Sequence, residues 1–127
     1  MRQIVQLDEQ TKQEVASLEK KCENLVDKLS VQYAEIENLV IELIRCKKGK
    51  SACNEDVYEG DYESFIEVGI ENDDEYFPND YIPIWKCKNE LFQTVGYITD
   101  DSIENIEKKL HCILDDMLLD LGERGRN

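Results

Sequence analysis

Apolar residues recur through the first third of the chain at alternating steps of three and four. One set of positions holds Ile4, Thr11, Leu18, Leu25, Gln32, Leu39 and Cys46, and the interleaved set holds Val15, Cys22, Leu29, Ile36 and Leu43. Between residues 15 and 43 only Gln32 breaks the seam, and no proline or glycine interrupts it. Charged residues flank it at Glu14, Lys21, Glu23, Lys28, Glu35, Glu37 and Glu42. The repeat predicts a long helix over residues 1–47, starting near residue 3. It would pair as a coiled coil through Val15, Leu18, Cys22, Leu25, Leu29, Gln32, Ile36, Leu39 and Leu43. Such a helix would reach roughly 60 Å, more than a chain of this size can cover, so it calls for a second coiled-coil chain. The acids Glu14, Glu35 and Glu42 would oppose their own copies, which favours a hetero-oligomer over a homo-oligomer. Tyr33, Val40 and Ile44 widen the stripe near its end, where the helix is expected to dock on its own domain.

Beyond residue 47 the period changes. In "RCKKGKSACN", Gly49 and the basic cluster read as a helix C-terminus followed by a linker over residues 48–56. The stretch "SFIEVGI" alternates, with Ile66, Val68 and Ile70 on one face, and predicts a strand. "IPIWKCK" and "LFQTVGYI" predict a hairpin turned at Asn89 and Glu90. In "TDDSIENIEKKLHCILDDMLLDLG", Asp101 and Glu104 form a capping-box-like start and Gly122 marks an end. Ile103, Ile106, Leu110, Ile113, Leu114, Met117, Leu118 and Leu121 give this helix a broad apolar stripe that should cover the sheet. The expected fold class is α+β: the long helix, a small antiparallel sheet of three or four strands, and a C-terminal helix packed on it. The small domain would span residues 57–122, with a frayed tail over 123–127.

The stretch "EYFPNDYIPIWKCK" holds both prolines of the chain and its only tryptophan. Two fixed φ angles stiffen a crossing loop, and Pro83, lacking an N–H, is confined to a strand start or an edge. Tyr76, Pro78 and Pro83, followed by Ile84, Trp85 and a helix over 103–121, resemble the Tyr-Pro…Pro element of RWD domains, relatives of the ubiquitin-conjugating fold. Joined to a coiled-coil helix, the arrangement looks like the small subunits of kinetochore complexes. That resemblance implies RWD domains paired at the end of a heteromeric stalk, docking short peptides of other assembly proteins.

Charge adds a second constraint. Twenty-nine acids against fifteen bases give a formal charge of −14, which argues against direct binding of a nucleic-acid backbone and for a basic peptide or protein partner. Residues 54–80 hold eleven acids and no base. The candidate partner-binding residues are Asp73, Asp74, Glu75, Asp80, Trp85 and Phe92, aromatic anchors set among carboxylates. The same features fit a second function class, a small acidic phage or bacterial inhibitor or immunity protein that blocks a basic nucleic-acid-binding site.

Candidate chemistry narrows the picture further. The five cysteines, Cys22, Cys46, Cys53, Cys87 and Cys112, show no CxxC spacing, as expected for reduced thiols in an intracellular (cytoplasmic or nuclear) protein. Cys22 and Cys112 are expected to be small core residues. His111 is adjacent to Cys112, and neighbouring helical residues point apart, so no Cys–His pair is expected. Neither a calcium-loop pattern nor a glycine-rich phosphate loop is present. The expectation is a protein that is not an enzyme, with no cofactor or metal and with no membrane segment.

Overall fold

Asp8 starts the first helix. Its carboxylate accepts the Thr11 N–H at 2.8 Å, and Glu9 adds a second negative charge where the helix dipole favours one. This helix, α1, runs Glu9–Gln32 and buries Val15, Cys22, Leu25, Val26 and Leu29. It stops at Gln32 rather than near residue 47. Tyr33 still donates its N–H to the Leu29 carbonyl at 2.9 Å, but Asn38 takes a φ of 62°, a left-handed conformation that asparagine accepts more readily than most residues. The chain then extends as strand β2, Leu39–Lys47. Val40, Ile41 and Ile44 are β-branched and suit a strand. Because both faces of this strand are largely apolar, its two-residue alternation is hidden and its spacing mimics a helical seam.

The computed structural model describes the backbone of residues 1–124 and the side chains of residues 1–120. Besides α1 and β2 it contains β1 (Arg2–Ile4), β3 (Lys50–Ser51), β4 (Tyr62–Asn72), β5 (Glu75–Glu90), β6 (Gln93–Ile98) and α2 (Ile103–Arg124). The six strands form one antiparallel sheet in the order β1-β6-β5-β4-β2-β3. Six replace the expected three or four because β1, β2 and β3 come from stretches read as helix and linker. Residues 75–81, read as a connection, are the first part of β5. Three tight turns join the strands, at Lys48 and Gly49 (φ 52° and 78°), at Asp73 and Asp74 (52° and 66°), and at Leu91 and Phe92, with Leu91 at 52°. The last lies two residues beyond the expected turn, since Asn89 and Glu90 pair with Thr94 and Gln93.

Both helices lie on one face of the sheet. Leu25 and Leu29 of α1 meet Ile106, Leu110 and Leu114 of α2 over Ile41, Ile66, Val68 and Ile84. The C-terminal helix therefore covers the sheet as its stripe predicts, and Ile66 and Val68 share the buried face. The first helix is part of the same core. Cys22 is buried as expected, but Cys112 is exposed: it falls beside the row of Ile106, Leu110 and Leu114, not within it. The helix runs past Gly122; the Leu121 side chain lies outside the described side chains, and the tail 125–127 outside the described residues.

A second cluster closes the other end of the core with Val15, Val57, Tyr62, Trp85, Cys87 and Ile98. Trp85 is fully buried and donates its ring N–H to the Val57 carbonyl at 2.8 Å. Between α1 and the sheet lies Glu19, a fully buried carboxylate. It accepts from the Tyr62 hydroxyl at 2.7 Å and from Arg45 Nε at 3.1 Å. Arg45 also reaches Glu23 at 2.6 Å and holds the Glu23 carboxyl below its ordinary range. A buried charge is tolerated only with such pairing, so the network fixes where α1 sits on β2 and β4.

Candidate docking face

With the helices on one side, the other face of the sheet is uncovered. Strand alternation assigns its residues. Ile41 and Leu43 belong to the helix-covered face with their partners Val68 and Ile66. Glu42, Ile44, Phe65 and Glu67 therefore face outward, joined by Tyr81 and Pro83 of β5, opposite Glu67 and Phe65. Phe65 and Tyr81 meet edge to face, centroids 6.0 Å apart at 76°. Tyr76 lies over Gly69, where an added Cβ would come within 2.6 Å of the tyrosine ring.

Electrostatically this face is incomplete. Glu42 is directly opposite Glu67, a like-charge pairing that destabilises a sheet. Burial, together with the Glu67 and Glu42 carboxylates, pushes the Tyr76 phenol up to about 12. Among the described residues no lysine or arginine pairs with Glu42, Glu67, Glu71, Asp73, Asp74, Glu75 or Asp80. Carboxylates elsewhere, such as Glu19, Glu23, Glu59 and Glu107, each have a cation.

The structure separates the residues singled out from sequence. Asp73 and Asp74 form the β4–β5 turn, where aspartate tolerates the positive φ angles, and Glu75 follows them at the same end. Asp80 lies in the first half of β5, opposite Val68 of the covered face, and its carboxylate accepts the Tyr81 N–H at 2.8 Å. Trp85 is not on the surface: a bulge at Ile84 turns its ring into the core. Phe92 is fully exposed beside Leu91 at the tip of the β5–β6 hairpin, at the opposite end of the sheet from Asp73. Of the proposed oligomerisation residues, Val15, Cys22, Leu25, Leu29 and Ile36 are buried in the chain's own core. Leu18, Leu39 and Leu43 pack partly buried against it, and Gln32 is exposed at the end of α1. Sequence reasoning missed Glu42, Phe65, Glu67 and Tyr81. The available signal was the β-branched run around Glu42.

Other polar groups serve the helix contact. The Tyr33 hydroxyl lies 2.7 Å from His111 Nδ1 and donates to Asp115 at 2.8 Å. Burial and then Asp115 push this phenol up to about 12. A cleft of about 570 Å³ opens where β6 parts from β5, lined by Tyr81, Pro83, Thr99, Asp101 and Lys109 among others. There Lys109 is paired with Asp101. No grouping of three metal-ligating side chains occurs among the described residues, and no described helix is long and apolar enough to cross a membrane. No protein-family model, curated protein or solved structure matches this chain.

Proposed function

We propose that this protein is a non-enzymatic docking module that takes a basic segment of another protein on the uncovered face of its sheet. The observation that carries this reading is the couple of Glu42 and Glu67, which has no cation among the described residues and is set among Phe65, Tyr76 and Tyr81. Two carboxylates held opposite each other without a cation weaken the free fold, and a lysine or arginine from a partner relieves the repulsion while its stem packs on the rings. Tyr76, Pro78 and Pro83, the residues that resemble RWD domains, border the same face, which supports a peptide-docking role of the adaptor kind. Helix-mediated assembly with a second chain is not part of the proposal, because most of the seam it requires is occupied within the core.

The test is a titration of the intact protein with a lysine-rich peptide, followed by fluorescence anisotropy. Glu42→Gln with Glu67→Gln should weaken binding about tenfold, or 1.4 kcal/mol, while raising stability to urea by about 0.2–1 kcal/mol. Asp27→Asn with Asp116→Asn removes the same charge from exposed helix positions and should leave binding nearly unchanged. Equal effects from both pairs would reduce the interaction to net charge and end the proposal. A second reading, a blocker of basic nucleic-acid-binding sites, is favoured by the acids continuing along β4 from Glu67 and Glu71 to the Asp73 turn. It requires in addition that the protein displace a DNA duplex from such a site.

A further inference from the structure

Among the described residues, two long stretches of strand in this sheet have a neighbour on one side only. The first is residues 75–83 of β5, because β6 joins β5 only from Trp85 onward. Its pairing with β4 sets Pro78 opposite Gly69 and Pro83 opposite Phe65, residues whose own main chain turns toward β2. The ring nitrogens of both prolines consequently face the open side, as does the Tyr81 N–H, which the Asp80 carboxylate takes up. This edge offers an incoming strand almost no donor, a recognised way of preventing edge-to-edge pairing.

The second stretch is residues 39–44 of β2, with the sequence LVIELI. Here β3 covers only Cys46 and Lys47. The Arg45 carbonyl accepts from Ala52 on the side away from β4. Along an antiparallel strand this direction alternates, so Ile41 and Leu43 also turn their N–H and C=O groups to the open side. The register with β4 is unbroken from Leu39 to Lys47, so no bulge twists this edge away. Proline, lysine and glycine do not occur in it. One edge of the sheet is blunted, and the other is left bare.

We infer that the open edge of β2 is a strand-addition site, and that its occupant is an extended basic segment of a partner protein. The choice of occupant follows from charge. Glu42 lies in the middle of the edge on the uncovered face, and Glu23, held by Arg45, lies beside it on the covered face. A second copy paired so that Ile41 meets Leu43 would set Glu42 against Glu42, and each chain already carries −14. An alternating segment with lysine or arginine on its outer face would instead meet Glu42, while the main chain supplies the hydrogen bonds. This inference rests on the docking reading above and specifies how the basic segment is held.

The experiment follows backbone amide exchange by NMR in the intact protein, with and without an alternating lysine–valine peptide of about ten residues, long enough for one strand. In the free chain the Ile41 and Leu43 amides should exchange readily, while those of Val40, Glu42 and Ile44, bonded to β4, are protected. On adding peptide, Ile41 and Leu43 should slow by at least about tenfold, and a peptide N-methylated at alternate residues should lose most of its binding. If the peptide binds through Glu42 and Glu67 but the Ile41 and Leu43 amides are unchanged, strand addition is wrong and the docking face stands. If no basic peptide binds, both fall. Protection that grows with protein concentration alone would assign the edge to a second copy and overturn the basic segment as its occupant.

Discussion

Gly96 shows how narrow the tolerances are around single side chains. A Cβ at this position would lie 2.0 Å from the Trp85 ring, which is fully enclosed and cannot retreat. Gly96→Ala should therefore lower stability by about 1–3 kcal/mol or more, the range for overpacking a core, read from urea unfolding with tryptophan fluorescence as the probe. Trp85 also shows why a lone aromatic was misread. Simple alternation sets Ile82 and Ile84 on one face and Trp85 on the other, but the bulge at Ile84 inserts one residue and returns Trp85 to the face of Ile82 and Cys87. Nothing in the order of residues marks a bulge. Glu42 was hidden differently: a charge beside a helical seam and a charge on the open face of a strand look alike in sequence.

Among the elements, α2 was legible because its stripe of Ile106, Leu110, Leu114 and Met117 is strictly helical in spacing. β2 was not, because apolar residues on both faces erase the alternation and the break before it depends on Asn38 and on packing of Ile36. The two open edges carry their own prediction. Replacing Pro78, Asp80 and Pro83 with alanine restores main-chain donors on the β5 edge. The variant should remain folded and gain a concentration-dependent increase in mass by light scattering, whereas the parent chain stays constant over the same range. An unchanged mass would mean that the prolines are there for rigidity alone.

At the scale of the molecule, both helices share one core with the sheet, so its titrating groups act on one folding equilibrium. Burial, with Glu19, pushes the Cys22 thiol from 9 up to about 12, and the Tyr33 and Tyr76 phenols are pushed from 10 up to about 12. These groups hold their protons more tightly in the folded chain than in the unfolded one. Their contribution is complete below about pH 9 and declines as pH rises toward 12, where the unfolded chain gives up protons that the fold retains. The urea midpoint should therefore fall steadily between pH 9 and 12, and Tyr76→Phe should flatten the upper part of that decline.

The pairing of β1 with β6 has a consequence for how the molecule is made. Arg2 lies opposite Ile98, so this strand leaves the ribosome well before the strand it pairs with. Contacts this distant in sequence form slowly, and α2, which covers much of the core, emerges later still. Until then the LVIELI segment has neither α2 nor a completed sheet around it, and such a segment is what chaperones bind. Folding of this chain during synthesis should accordingly depend on a holding factor.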